Sequence, residues 1–162
     1  MSEAEIYGMK PIIKSFDFLS ETNIRVKNGE SLSKLVKEEL KKYRVVSGYA
    51  RPIIKEDERI KPLTDLARKL GLGSGEHIKL AFDIEKTLIS LGYKMHANIA
   101  SIAAGLVADQ GLTAREYYYY LVNCFSIGIL LCHFDSSRKK EGLLFPIRCT
   151  KVVYQGNSNR VW

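Results

Sequence analysis

The chain has 162 residues, 46% of them hydrophobic, and a formal charge of +7. That suffices for one domain with a real core. The positive charge suits an anionic partner (nucleic acid, a membrane surface or a phosphorylated small molecule) without choosing among them. Three cysteines, Cys124, Cys132 and Cys149, show no CxxC and no paired spacing, which argues against a disulfide framework or a zinc site.

The N-terminus, Met1-Ser-Glu-Ala-Glu-Ile6, is acidic and has no signal-peptide core. Residues 1–30 carry no strong period and are expected to form an N-terminal arm, packed on the domain or partly loose. Ser31 is placed to cap a helix to Tyr43, with Leu32, Leu35, Val36 and Leu40 on one face and lysines on the other. Val45 to Ile54 is β-branched but broken by Gly48 and Pro52, and is expected to be a short strand or loop. Pro62 suits the first turn of a helix ending at Leu70. Ser74 can cap the next, whose Ile78, Ala81, Phe82, Ile84, Glu85 and Leu88 give a mainly inward stripe closed by Gly92.

The stretch around which the chain is organised follows. From Ala97 it is almost wholly small or apolar, with Ala97, Ala100, Ser101, Ala104, Gly105 and Ala108 at helical spacings. Small side chains let neighbouring backbones come close, so a central helix packed on several sides is expected, with the polar Asn98 in its first turn. Thr113-Ala-Arg-Glu116 is a capping box opening a long apolar helix to about Asp135. Tyr117–Tyr120 must point all round it, so at least one tyrosine is exposed. Leu143 to Tyr154 is expected to contain an extended piece, and 157–162 is a polar tail. The class is mainly α, a bundle of about five helices with a short extended C-terminal segment. The longest apolar run, Phe125 to Cys132, is too short to span a bilayer. A soluble cytoplasmic protein is expected.

No Walker A, GxGxxG, HExxH or GxSxG pattern occurs. His77, His96 and His133 stand apart, with no spacing that suggests further metal ligands, and no metal is expected. Cys124 and Cys132 lie on roughly one helical face and are expected in the core. Lys34, Lys37, Lys41, Lys42 and Arg44 read as a solvated face. Arg51, Lys55 and Arg59 flank a Gly-containing loop ahead of a helix, an arrangement suited to holding phosphate.

In order and spacing, Ser47-Gly-Tyr-Ala-Arg51, Asp57-Glu-Arg59, His96-Ala-Asn98, Ala103-Ala-Gly-Leu106, Gly128-Ile-Leu-Leu-Cys-His133 and Tyr154-Gln-Gly156 follow a known succession. With them, residues 31–156 resemble the small, CoA-binding domain of citrate synthase and the related portion of ATP-citrate lyase. In that family Gly-(Phe/Tyr)-Gly-His-(Arg)-Val is followed by Asp-Pro-Arg, Asn-Val-Asp, a small-residue helix, Gly-Trp-x-Ala-His and a late Tyr-x-Gly.

The resemblance implies a mechanism and its participants. A carboxylate of Asn-Val-Asp removes the methyl proton of an acyl-CoA, the loop histidine polarises a ketone, arginines hold carboxylates, and a large-domain histidine stabilises the enol. The departures fall on those groups. The loop histidine corresponds to Ala50 or Arg51, the base to Asn98, and the substrate arginine to Ser126, while Arg148 is the nearby candidate for the arginine before Tyr-x-Gly. The loop and the basic residues beyond it, Gly48, Tyr49, Arg51, Lys55 and Arg59, are the positions implied for coenzyme A or acyl-CoA. The expected protein is thus a degenerate citrate-synthase-like small domain, dependent for catalysis on a separate large-domain chain, and a possible homo-oligomer. The alternative is a non-catalytic interaction module with Tyr117–Tyr120 and Trp162 as anchors. Nucleic-acid binding rests on charge alone and is not favoured.

Overall fold

The computed structural model describes residues 8–51 and 56–139. They form six helices: α1 (Met9–Lys27), α2 (Leu32–Tyr43), α3 (Ile60–Lys69), α4 (Glu76–Ser90), α5 (Ile99–Asp109) and α6 (Ala114–Ser137). Among the described residues there is no strand, only an isolated antiparallel bridge between Tyr49 and Ala97. The expected extended segment at Leu143–Tyr154, with Arg148, Tyr154-Gln-Gly156 and the tail 157–162, lies outside the described residues, as does Lys55. The chain divides into two compact units, Met1–Val122 and Asn123–Trp162.

The first unit is built round α5, which packs against α1, α3 and α4, while α2 lies on α1 and α4. The small-residue stripe works as its composition implies: Ala97, Ala100, Ser101, Ala104 and Gly105 are all buried. The closest approach is at Gly105, where an added Cβ would sit 3.0 Å from Ile78 Cα and 3.1 Å from the His77 carbonyl. Only a residue with no side chain lets the two backbones meet there.

The helix over Met9–Lys27 is the main difference from the sequence reading of residues 1–30. Phe16 and Leu19 are core residues, 5% and 1% exposed. The period is hidden because two polar residues, Ser15 and Thr22, share the buried stripe. Pro11 is tolerated because it falls in the first turn, where the missing N–H has no helical partner.

Helix starts follow the expected positions, with differences in what caps them. Ser31 occupies the N-cap of α2, but its side chain makes no capping hydrogen bond, and only its carbonyl accepts, from Lys34 and Leu35 N–H. Thr113 and Glu116 form the capping box, with Thr113 N–H donating to Glu116 Oε2 at 2.8 Å and Glu116 N–H to Thr113 Oγ1 at 3.3 Å. For α4 the cap is not Ser74. Asp109, at the last turn of α5, accepts from His77 N–H at 2.8 Å and Ile78 N–H at 3.0 Å. A carboxylate from a neighbouring helix satisfies the exposed donors better than a serine two residues upstream, because it adds charge to the positive end of the helix dipole.

In the second half of α6, Phe125, Ile127, Ile129, Leu130, Leu131 and Phe134 are exposed, as are Cys124 and Cys132, which the sequence placed in the core. The helical spacing of the two thiols is right, but only the first turns of α6, at Tyr117 and Leu121, are buried. Tyr119 and Tyr120 are exposed, as four consecutive tyrosines require. By length and composition alone, α6 meets the requirement for a membrane-crossing helix. The apolar run is shorter than that, but no charged residue separates Glu116 from Asp135.

Gly105→Ala should destabilise the protein by about 1–3 kcal/mol, because the added methyl meets backbone that cannot swing aside. Urea denaturation followed by circular dichroism measures this; an unchanged midpoint would show that the α4–α5 crossing is looser than described.

Candidate functional site

The loop between α2 and α3 folds onto the approach to α5 through backbone pairing. Ala50 N–H donates to the His96 carbonyl at 2.6 Å, and Asn98 N–H to the Gly48 carbonyl at 2.9 Å. Gly48 has φ +88°, and a Cβ there would sit 2.9 Å from Ser101 Cβ and overlap Ser15 Oγ, so both conformation and space require glycine. Tyr49 is buried and anchors the loop, its hydroxyl donating to the Ala81 carbonyl of α4 at 2.9 Å. Burial holds that phenol far above its ordinary pKa. Ala50 has φ 78°, the left-handed region that disfavours a Cβ. It is held there from both sides, its N–H on His96 and its carbonyl on the Asn98 side chain.

Asn98 is the N-cap of α5. Its Oδ1 accepts from Ala100 N–H at 2.9 Å, and its Nδ2 donates to the Ala50 carbonyl at 2.9 Å. The amide therefore welds helix to loop with both ends, and neither end carries a lone pair that can take a proton from carbon.

Asp57 completes the junction. Its side chain is fully buried, and Oδ2 accepts from Ile99 N–H at 2.8 Å, the first residue of α5. The same carboxylate takes a two-point contact from Arg59, Nε and Nη2 each at 2.8 Å, and the Arg59 N–H at 3.2 Å. Arg51 Nη1 lies 3.5 Å from Asp57 and 2.6 Å from Glu58. The Arg59 guanidinium, with help from the Ile99 and Arg59 amides, holds the Asp57 carboxyl well below the usual carboxylate range against the opposing effect of burial.

Of the positions singled out in the sequence, Gly48, Tyr49, Ala50, Arg51, Asp57, Arg59 and Asn98 are thus brought into one junction. Within it Gly48 and Tyr49 face inward and act as framework, whereas Arg59 keeps 53% of its side chain open to solvent. Ser126 is exposed on α6 and belongs to the second unit. The sequence reading put Glu85 in the inward stripe of α4 but gave it no role in a site. Its Oε1 lies 3.1 Å from His96 Nδ1 and accepts from Ala97 N–H at 3.2 Å. Nothing in the spacing of Glu85 and His96 signals this pair, which exists because α4 runs alongside the segment leading into α5. Among the described residues no group of three or more His, Cys, Asp or Glu side chains is arranged to hold a metal ion.

Two outcomes follow from the junction. Asp57→Asn should cost about 2–3 kcal/mol, the scale of lost hydrogen bonds to a charged group. Because the folded-state carboxyl titrates below the unfolded one, the wild-type contribution is complete above an unfolded value of about 4 and fades as pH falls toward the folded value. Denaturation midpoints taken between neutral and strongly acid pH should therefore converge for wild type and variant at the acid end. Ala50→Gly should stabilise by about 0.5–1 kcal/mol, relief of left-handed strain outweighing the added freedom of the unfolded chain; a lower thermal midpoint would count against the strain.

No protein-family model matches the chain. No curated protein matches it either. Among solved structures the chain is similar to citryl-CoA lyase from Hydrogenobacter thermophilus, with a TM-score of 0.68 and 23% sequence identity. The match covers 94% of this chain and 59% of that one, so this chain spans about three fifths of that lyase. At this identity the likeness is one of fold, and it bears out the helical citrate-synthase-like architecture that the sequence resemblance implied.

Proposed function

We propose that the chain is a citrate-synthase-like domain that holds coenzyme A, acyl-CoA or a related phosphorylated ligand but cannot by itself run acyl-CoA condensation or citryl-CoA cleavage. The observation that carries this is Asn98. At the position where the resembling family has its carboxylate base stands an amide with both ends engaged in joining α5 to the loop. General-base catalysis accounts for factors of about 100 to 10,000 in rate, and an amide supplies none of it.

Ligand retention is supported by the arginines. Arg59 uses Nε and Nη2 on Asp57, which leaves Nη1 and the solvent-facing edge of the fork for a phosphate. Arg51 stands beside it on the same carboxylate. A large-domain partner, or a further copy of this chain, would have to bring the remaining catalytic groups. The similar lyase has further chain beyond the matched 59%, which leaves room for such a part. We place this assembly in the cytoplasm, where acyl-CoA esters are met in a reducing milieu.

A second reading, a protein-interaction module, draws on the exposed apolar side chains Phe125, Ile127, Leu130, Leu131 and Phe134 of α6. Titration calorimetry with CoA separates the two. The first predicts saturable heat that Arg59→Ala weakens by about tenfold, the scale of one charge-assisted hydrogen bond, and no condensing or cleaving turnover by the purified chain. Absence of saturable heat, or robust turnover, overturns it.

A further inference from the structure

An open groove of about 430 Å³ is lined by Ile60, Lys61 and Arg68 of α3, Phe82 and Glu85 of α4, and His96 ahead of α5. Its wall carries a carboxylate–imidazole pair that the coenzyme reading does not use. Glu85 Oε1 already accepts the Ala97 N–H, and as an acceptor it takes the Nδ1–H of His96 at 3.1 Å. In the neutral ring that bond fixes the tautomer as well as the orientation and leaves Nε2, on the opposite side of the ring, as the acceptor. Among the described residues Nε2 has no partner.

The charges around the groove narrow what can fill it. Lys61 and Arg68 both pair with Asp65, at 2.7 and 3.0 Å, and Asp57 is covered by its arginines. The lining carries four carboxylates, Glu56, Asp57, Asp65 and Glu85, against two cations, Lys61 and Arg68, which share Asp65, so the groove disfavours an anion, while Phe82, Ile60 and Ala97 provide apolar wall. We propose that this groove is a ligand site for an uncharged small molecule with an apolar or aromatic body and one hydroxyl or thiol, whose proton His96 Nε2 receives in a hydrogen bond. Glu85 acts as the positioning residue, holding the imidazole so that its acceptor nitrogen is the one left for the ligand.

Phenol and toluene test this on the full chain, because they share a shape and only phenol has a proton to donate. With histidine labelled by nitrogen-15, phenol should shift the His96 Nε2 resonance saturably in the millimolar range, and toluene should leave it in place. His96→Asn should weaken phenol binding by about fivefold or more, the scale of one hydrogen bond, and Glu85→Gln should weaken it less. His133→Asn is the control and should change nothing. If a variant fails to fold, the phenol–toluene contrast in the wild-type chain still decides. An Nε2 signal that phenol does not move, or that both probes move alike, overturns the proposal. Phenol carries no phosphate, so its binding does not call on the solvent-facing edge of Arg59 that the coenzyme reading uses. Failure in this groove therefore leaves the coenzyme reading standing, and loss of CoA binding leaves the groove standing.

Discussion

The N-terminus of α5 is partly buried beneath a loop, and its first amide donors are satisfied there by side chains. That capping organises the first unit. Asp57 takes the Ile99 N–H and Asn98 takes the Ala100 N–H. An anion and an amide acceptor at the positive end of the helix answer both the unpaired donors and the dipole. Each of these side chains then has capacity left over, and the site is assembled from that remainder. The second end of Asn98 grips Ala50, and the remaining lone pairs of Asp57 gather Arg59 and Arg51.

The same economy explains why the junction is polar yet poor in free reactive groups. A carboxylate that caps a helix and binds an arginine in a two-point contact is held ionised and directed away from proton transfer. An asparagine bonded at both ends is a rivet. Ala50 tolerates a left-handed backbone because the surrounding hydrogen bonds over-determine it. The chain's one imidazole with an open acceptor beside this junction, among the described residues, belongs to His96, and its orientation comes from a different helix altogether, through Glu85.

Close packing supplies the other half of the frame. Gly105 lets α4 and α5 approach backbone to backbone, and Asp109 at the far end of α5 reaches across to cap α4. Asp109 thus ties the end of α5 to the start of α4, and the Tyr49 hydroxyl ties the loop to Ala81 within α4. A glycine at position 75 is part of the same arrangement, since a side chain there would overlap the Asp109 carboxylate.

The amino-acid sequence alone determined the helical class, the identity of α5 as the central helix, the starts of α2, α3 and α6, and the meeting of the Gly48–Arg51 loop with Asn98. These are properties of local pattern: small residues at helical spacing, a proline in a first turn, a capping box, and an order of segments shared with a known family. Tertiary structure alone decided that Met9–Lys27 is a helix, that Asp109 and not Ser74 caps α4, that Cys124 and Cys132 are exposed, and that Glu85 orients His96. In α1 the buried stripe carries Ser15 and Thr22, so polarity masks the period. In the other cases the deciding partner lies far away in sequence or the deciding fact is what covers a face. Hydrophobic period reports which residues can share a side of a helix, but long-range hydrogen bonds and burial depend on where the other helices come to rest.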